Sequence, residues 1–344
     1  MLQSVVNLPV QYPPNTTFVY NTSLYALGGY LPFMAQQPPP ADLEGSYANL
    51  MKERVYGPAG MMGARIADDP RGLVANYATG NGIDLTAKAV PVPYAPVGAY
   101  APAGGTLATP NDVAAYVQLQ LLGGVSVNGQ RVVSATNLAE CWKPHIAMPV
   151  NEAFDPDTVS QGYGMGWINQ KFKDGTTLVW HNGGIDGFSS WIGFLPERDL
   201  GLVVLNSMDP QKTGTLFSIY VLNQLLSERF GLNVGLPAKV QAAYDSTITS
   251  LRREGANAHA VDRTKVAPWL GYYEGGFQMM MDGPALELRL GPQAFPIQVL
   301  ADESYIFSGG IPIGTKVGLT HSTEGVPTVV ISPSQTVRRT NGLD

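Results

Sequence analysis

Hydrophobic and polar positions change rhythm along this chain. Near the start, Leu24, Leu27 and Leu31 fall at helical spacing, which predicts a helix beginning near Ser23. "SYANLMKERVYGPAGM" predicts a second, amphipathic helix from about Ser46 to Val55, stopped at Gly57-Pro58. The Pro-, Gly- and Ala-rich run from Val90 to Gly105 then reads as a long surface loop. "ATPNDVAAYVQLQLLGG" returns to helix: Thr109 can cap, Pro110 suits the first helical position, Asp112 favours the positive end of the dipole, and Gly123-Gly124 ends it. A short helix is expected around Ser134 to Trp142.

The rhythm then shortens to alternation. "GYGMGWINQ", "TTLVWHNGG", "GFSSWIGFLP" and "LGLVVLNS" read as three or four successive strands, with turns at Lys173-Asp174-Gly175 and Glu197-Arg198-Asp199. Connections this short predict an antiparallel sheet. "TLFSIYVLNQLLSERFG" is an apolar helix suited to cover one face of that sheet, and a charged helix follows from about Val240. Beyond a turn at Asp282-Gly283, Leu286, Leu288 and Leu290 alternate with Glu287 and Arg289. The expected organisation is a first domain over 1–235, a helical linker over 236–264 and a small β-meander or barrel over 265–344. The expected fold class is α+β: an antiparallel sheet flanked by helices, plus a small all-β unit.

Composition narrows the function classes. A length of 344 residues corresponds to roughly two domains of ~150 residues. With 44% hydrophobic residues, 14% charged residues and a net charge of −6, the chain reads as a soluble globular protein, with no basic block to bind nucleic acid. No apolar run approaches the ~18 residues of a transmembrane segment. The histidines, at 145, 181, 259 and 321, show no ligand spacing, so no metal is expected. Cys141, the single cysteine, excludes an internal disulfide and reads as a buried helix residue.

One stretch breaks the packing logic. His181-Asn182-Gly183-Gly184 closes an apolar strand with four small or polar residues, as if the backbone there must come close to something. Together with "PPNTTFVYNTSLYALGGYL", "ERVYGPAGMMGARI", "AGGTLATPNDVAAYV" and "GYGMGW", in that order, it resembles the serine β-lactamase-like family of class C β-lactamases, DD-peptidases, esterases and D-aminopeptidases. The resemblance covers nearly all of residues 10–230, and "PWLGYYEGGF" resembles the start of a small β-domain that often follows.

That resemblance implies a β-lactamase/transpeptidase-like fold and acyl transfer, without a cofactor, on a small-molecule or peptide amide or ester. It gives Tyr20 the part of a tyrosine whose phenol shares in proton transfer, for which nearby cations must lower its pKa from ~10. His181, Asn182 and Gly183 match an H-x-G motif beside the cleft, and Gly184 matches the residue whose N–H forms half of an oxyanion hole. Thr22 stands where the family's Y-x-N motif has asparagine, and Asn21, one place away, is expected to point elsewhere.

The family nucleophile is a serine in S-x-x-K, and no lysine of this chain has a serine three positions before it. In the family that motif precedes Y-x-N, whereas only 19 residues precede Tyr20, so an incomplete amino-terminal portion is expected. The family's amino-terminal strands lie beside the last strand, here "LGLVVLNS", whose edge is therefore expected to be unpaired and prone to association. Lys212-Thr213-Gly214 reads as a helix-start loop, and Ser189 and Ser190 as strand residues. Two functions stay open: a serine hydrolase acting through an acyl-enzyme, its activity changing across pH ~6.5 through His181, or a cleft-retaining binding protein or inactive fragment. Complete family members are commonly exported.

Overall fold

Asn21 fixes where the first helix begins. Its side chain accepts the Leu24 N–H at 2.9 Å, and α1 runs Thr22–Met34. The computed structural model describes residues 9–150, 155–208, 214–232, 237–291, 293–309, 314–332 and 335–340. Helix α2 (Leu43–Met51) opens earlier than Ser46, because Asp42 caps it through the Gly45 N–H. Nor does Gly57-Pro58 stop it. A π-helical turn, Lys52–Tyr56, and a last turn, Gly57–Ala59, carry the helix to Gly60, whose φ of 82° ends it. Pro58 follows directly on the π-helical turn. The supposed loop from Val90 to Gly105 contains a strand, Ala89–Pro91, paired with Asn81–Ile83, and two helical turns, Gly98–Tyr100 and Ala101–Gly104.

Helix α3 (Pro110–Leu121) is capped as its sequence predicts. Thr109 and Asp112 satisfy each other's backbone N–H groups, and Asp112 Oδ1 also accepts the Gly63 N–H at 2.9 Å. Burial alone would raise the Asp112 pKa, but the hydrogen bonds from Thr109 and Gly63 outweigh it and hold the carboxyl below its usual range. Ser134 caps α4 (Ala135–Trp142), on which Cys141 is half-buried rather than buried.

Six strands follow: β1 (Ile146–Met148), β2 (Thr158–Tyr163), β3 (Ile168–Phe172), β4 (Thr177–Ile185), β5 (Phe188–Leu195) and β6 (Leu200–Asn206). They form one antiparallel sheet in the order β6-β5-β4-β3-β2-β1. Strand β4 does not end at His181-Asn182-Gly183-Gly184. It runs through these residues to Ile185, because pairing with β5 continues to the Asp186-Gly187 turn. Alternation sends Leu178, Trp180, Trp191, Leu195, Leu202 and Val204 to one face, covered by Leu222 and Leu226 of α5 (Thr215–Phe230). Val179 and Phe194 pack on the opposite side with Val117 of α3. Gly214 is the N-cap of α5, while Lys212 and Thr213 lie outside the described residues.

Helix α6 (Pro237–Ala256) leads to a second sheet of β7 (Gly271–Tyr273), β8 (Phe277–Asp282), β9 (Ala285–Leu290), β10 (Gln293–Leu300), β11 (Tyr305–Phe307), β12 (Lys316–His321), β13 (Pro327–Ser332) and β14 (Gln335–Arg338). The strands pair in chain order, Ala258–His259 adds beside β10, and a bridge from Tyr273 to Arg339 nearly closes a barrel. Leu286 and Leu288 point into its core with Phe277, Met279 and Phe307. The β8–β9 turn is Gly283-Pro284, one residue later than expected, since Asp282 still pairs with Ala285. Leu251 of α6 packs with Ile83 and Leu85 on one side and with Leu300 and Ile306 of the barrel on the other.

Candidate active site

Strand β4 has one edge bonded and one edge bare at its far end. The turn into β5 is only two residues long, so Ile185 and Phe188 exchange both backbone bonds. Alternation then makes Gly183 and Ser190 a bonded pair and Gly184 and Ser189 a non-bonded one. The Gly184 N–H therefore points away from β5, toward the β3 side. Strand β3 pairs with β4 only from Thr177 to Trp180. Beyond Trp180, the N–H groups of Asn182 and Gly184 face an edge with no strand partner among the described residues, and both residues are exposed. Donors fixed in this way suit an oxygen that gains negative charge during a reaction.

Gly183 has a separate reason to lack a side chain: a Cβ there would collide with Ser190 Oγ across the strands. Ser189 is buried, and its Oγ donates to Asn206 Oδ1 at 2.8 Å, tying β5 to β6. Ser189 is thus engaged within the sheet, and Ser190 Oγ lies over the Gly183 backbone.

The His181 tautomer follows from its two partners. Nδ1 lies 2.5 Å from the Asn182 carbonyl, which can only accept, so Nδ1 holds the proton. Nε2 then accepts from the Tyr163 phenol at 3.0 Å. Burial lowers the His181 pKa below its ordinary value, opposed in part by the Asn182 hydrogen bond. The imidazole is therefore neutral at pH 7, and any change of charge is displaced from ~6.5 to more acid pH. Its linkage to stability has a definite sign. The unfolded chain takes up this proton first, so the contribution is whole above ~6.5 and is lost as pH falls through the lowered folded value. An NMR titration of the His181 ring should give a midpoint below 6.5, and a midpoint at or above it would contradict this environment.

Tyr20 stands beside these rings. Its centroid is 6.2 Å from that of His181 and 6.4 Å from that of Tyr163, while Phe18 packs on Tyr163 at 5.1 Å and so anchors the segment. Tyr20 is 61% exposed, open to a ligand. Burial, then the neighbouring Tyr20 and Tyr25, push the Tyr163 pKa up, so this phenol remains a proton donor to His181. Thr22 is exposed at the first position of α1, and Asn21 is committed to capping that helix. Tyr20 and His181 therefore come together, and the Asn21 amide does not join them.

Tyr163 and Phe18 escaped the sequence reading. "GYGMGW" and "PPNTTF" served there only as landmarks, and Tyr163 lies two strands from His181, a relation that becomes visible only with the sheet order. The far end of β4 is held from outside the sheet. Asn81 N–H donates to the Gly187 carbonyl at 3.1 Å, and the Gln293 side chain of β10 donates to the Asp186 carboxylate. Among the described residues, no group of three or more His, Cys, Asp or Glu could hold a metal, and no helix is long and apolar enough to cross a membrane.

Comparison with known proteins gives four matches. A family model described as Beta-lactamase matches residues 1–217. Unguisins hydrolase ungD of Aspergillus violaceofuscus is 24% identical over 277 residues, 76% of this chain and 46% of that protein. Unguisins hydrolase ungD' of Aspergillus campestris is 24% identical over 206 residues, 59% of this chain and 35% of that protein. The chain thus spans between about a third and a half of the length of these curated relatives. Among solved structures, the octameric penicillin-binding protein homologue from Pyrococcus abyssi is 20% identical, with a TM-score of 0.49 over 95% of this chain and 66% of that one.

Proposed function

The chain belongs to the beta-lactamase family, which is hydrolytic, and on that premise we propose that the strand edge at His181 and Gly184, with Tyr20 beside it, receives the acyl group of an amide or ester. The observation that carries this reading is the bare edge of β4 at Gly184, three residues along the strand from an imidazole that has Tyr20 beside it. In this reading a serine Oγ bonds to the substrate carbonyl carbon as its proton passes to the Tyr20 oxygen, the carbonyl π electrons move onto oxygen, and the Gly184 N–H donates to that oxygen. The leaving amine or alkoxide departs with a proton from the Tyr20 side, and water later releases the acyl group. A β-lactam, a D-amino-acid peptide or a simple ester would each present such a carbonyl. The two Aspergillus relatives are unguisins hydrolases, which supports a hydrolytic reading.

The sequence holds no S-x-x-K, so the reading assigns these residues acyl binding and proton transfer and leaves the nucleophile outside them. The same absence favours a second reading, a binding protein that keeps the cleft without turnover. A fluorescent penicillin separates the two. The 344-residue chain should not be covalently labelled, and a longer in-frame product carrying S-x-x-K should be. Labelling of the 344-residue chain would overturn the assignment of the nucleophile, and a longer product that binds without labelling would favour the binder.

A further inference from the structure

The last rows of the β4–β5 ribbon have little sheet around them. From His181 onward β4 pairs with β5 alone, and β6 reaches no further along β5 than Ser189, opposite Gly184. Ile185, Phe188 and the Asp186-Gly187 turn therefore form a two-stranded end with no third strand among the described residues. Such an end is free to twist unless something outside the sheet holds it. The direction of the Gly184 N–H depends on that hold.

Two supports reach the turn. One is the segment around Asn81, which bonds the Gly187 carbonyl and stacks Tyr94 on Phe188 at 5.8 Å. Its own footing is Ile83 and Leu85, packed against Leu251 of α6 and against Leu300 and Ile306 of the barrel. The other support comes from the barrel directly. Gln293 opens β10 opposite Leu290 of β9, so the tip of that hairpin stands against the tip of the β4–β5 hairpin. Along β10, Gln293 continues the alternating row of Phe295 and Ile297, which pack in the barrel core, and that row fixes where its amide can reach. The amide donates to the Asp186 carboxylate, a charge-assisted bond.

We propose, on the reading of Gly184 as donor to the acyl oxygen, that Gln293 is a positioning residue: from the barrel it holds the Asp186 turn and so sets the direction of the Gly184 N–H. The barrel thereby takes part in the acyl site, although Gln293 touches no reacting atom. A neutral amide suits this part, because a carboxylate in its place would repel Asp186.

Amide nitrogen relaxation of Gly184 in the unliganded chain tests this, in Gln293→Ala, in Gln293→Glu, and in the exchanged pair Asp186→Asn with Gln293→Glu. Wild type should give an order parameter of about 0.85, and both single variants should lower it toward about 0.6. Gly175, in the turn at the other end of β4, should not change. The exchanged pair again sets an amide donor against a carboxylate, so it should recover the wild-type value, which lost packing alone would not do. The Kd for an N-acyl-D-alanine ester should rise about tenfold in the single variants and return in the exchanged pair. Should Gln293→Glu fail to fold, Gln293→Ala decides alone. Gly184 as ordered in Gln293→Ala as in wild type, or an exchanged pair no more ordered than Gln293→Glu, would overturn the hold by Gln293. A wild-type chain that does not bind the ester would instead overturn the acyl site, and with it the use of that hold.

Discussion

Replacing Trp191 with alanine is expected to lower stability by about 3 to 5 kcal/mol, the range for removing a large buried aromatic. Trp191 is 1% exposed at the centre of the site-bearing sheet, in register with Asn182 on one side and Val204 on the other. Its ring stacks on Trp180 at 5.8 Å and lies over Gly193, where any Cβ would strike it. Leu222 and Leu226 close the space from α5. Those neighbours are held by separate strands and a helix, so they cannot collapse together into the cavity. Urea denaturation of Trp191→Ala against wild type reads the loss directly, and a difference under about 1 kcal/mol would show that the sheet and α5 are not packed this way.

Gly187→Ala is expected to cost about 3 kcal/mol, from left-handed strain of about 1 to 2 and overpacking of about 1 to 3. Gly187 has φ 76°, and an added Cβ would lie 2.7 Å from both the carbonyl carbon and Cα of Gly80. These are backbone atoms, so no flexible side chain can step aside. The turn would have to move away from Asn81, releasing the end of β4 that carries Gly184. Gly175 gives the control. Its φ of 87° is similar but a Cβ there meets open space, so Gly175→Ala should show the strain alone. Equal losses at the two turns in thermal unfolding would remove the Gly80 contact from the account.

Features set by one or two neighbouring residues were legible in the sequence. The Thr109 and Asp112 box, the Ser134 cap and the turns of the antiparallel sheet all depend on hydrogen bonds within a few residues, which spacing encodes. Helix α2 was harder, since a π-helical turn shifts the period just where Gly57-Pro58 signals a stop. Strand β4 was read as closing at four small or polar residues that give up packing, yet its extent is set by pairing with β5. The matching edge, with β3 finishing at Ile168 and leaving Gly184 bare, depends on register and left no local mark.

The site divides in the same way. Tyr20 and His181 were proposed through the order of family landmarks, while their 6.2 Å separation arises from a chain path no spacing specifies. The Tyr163 hydrogen bond to His181 Nε2 was invisible for the same reason.

Residue-resolved amide exchange along β4 tests the central claim most directly. The account predicts a protected Gly183, bonded to Ser190, next to fast-exchanging Asn182 and Gly184, with Gly184 slowing when an N-acyl-D-alanine ester is added. A Gly184 amide as protected as that of Gly183 in the unliganded chain would mean that the edge is already occupied, and no acyl oxygen could be received there.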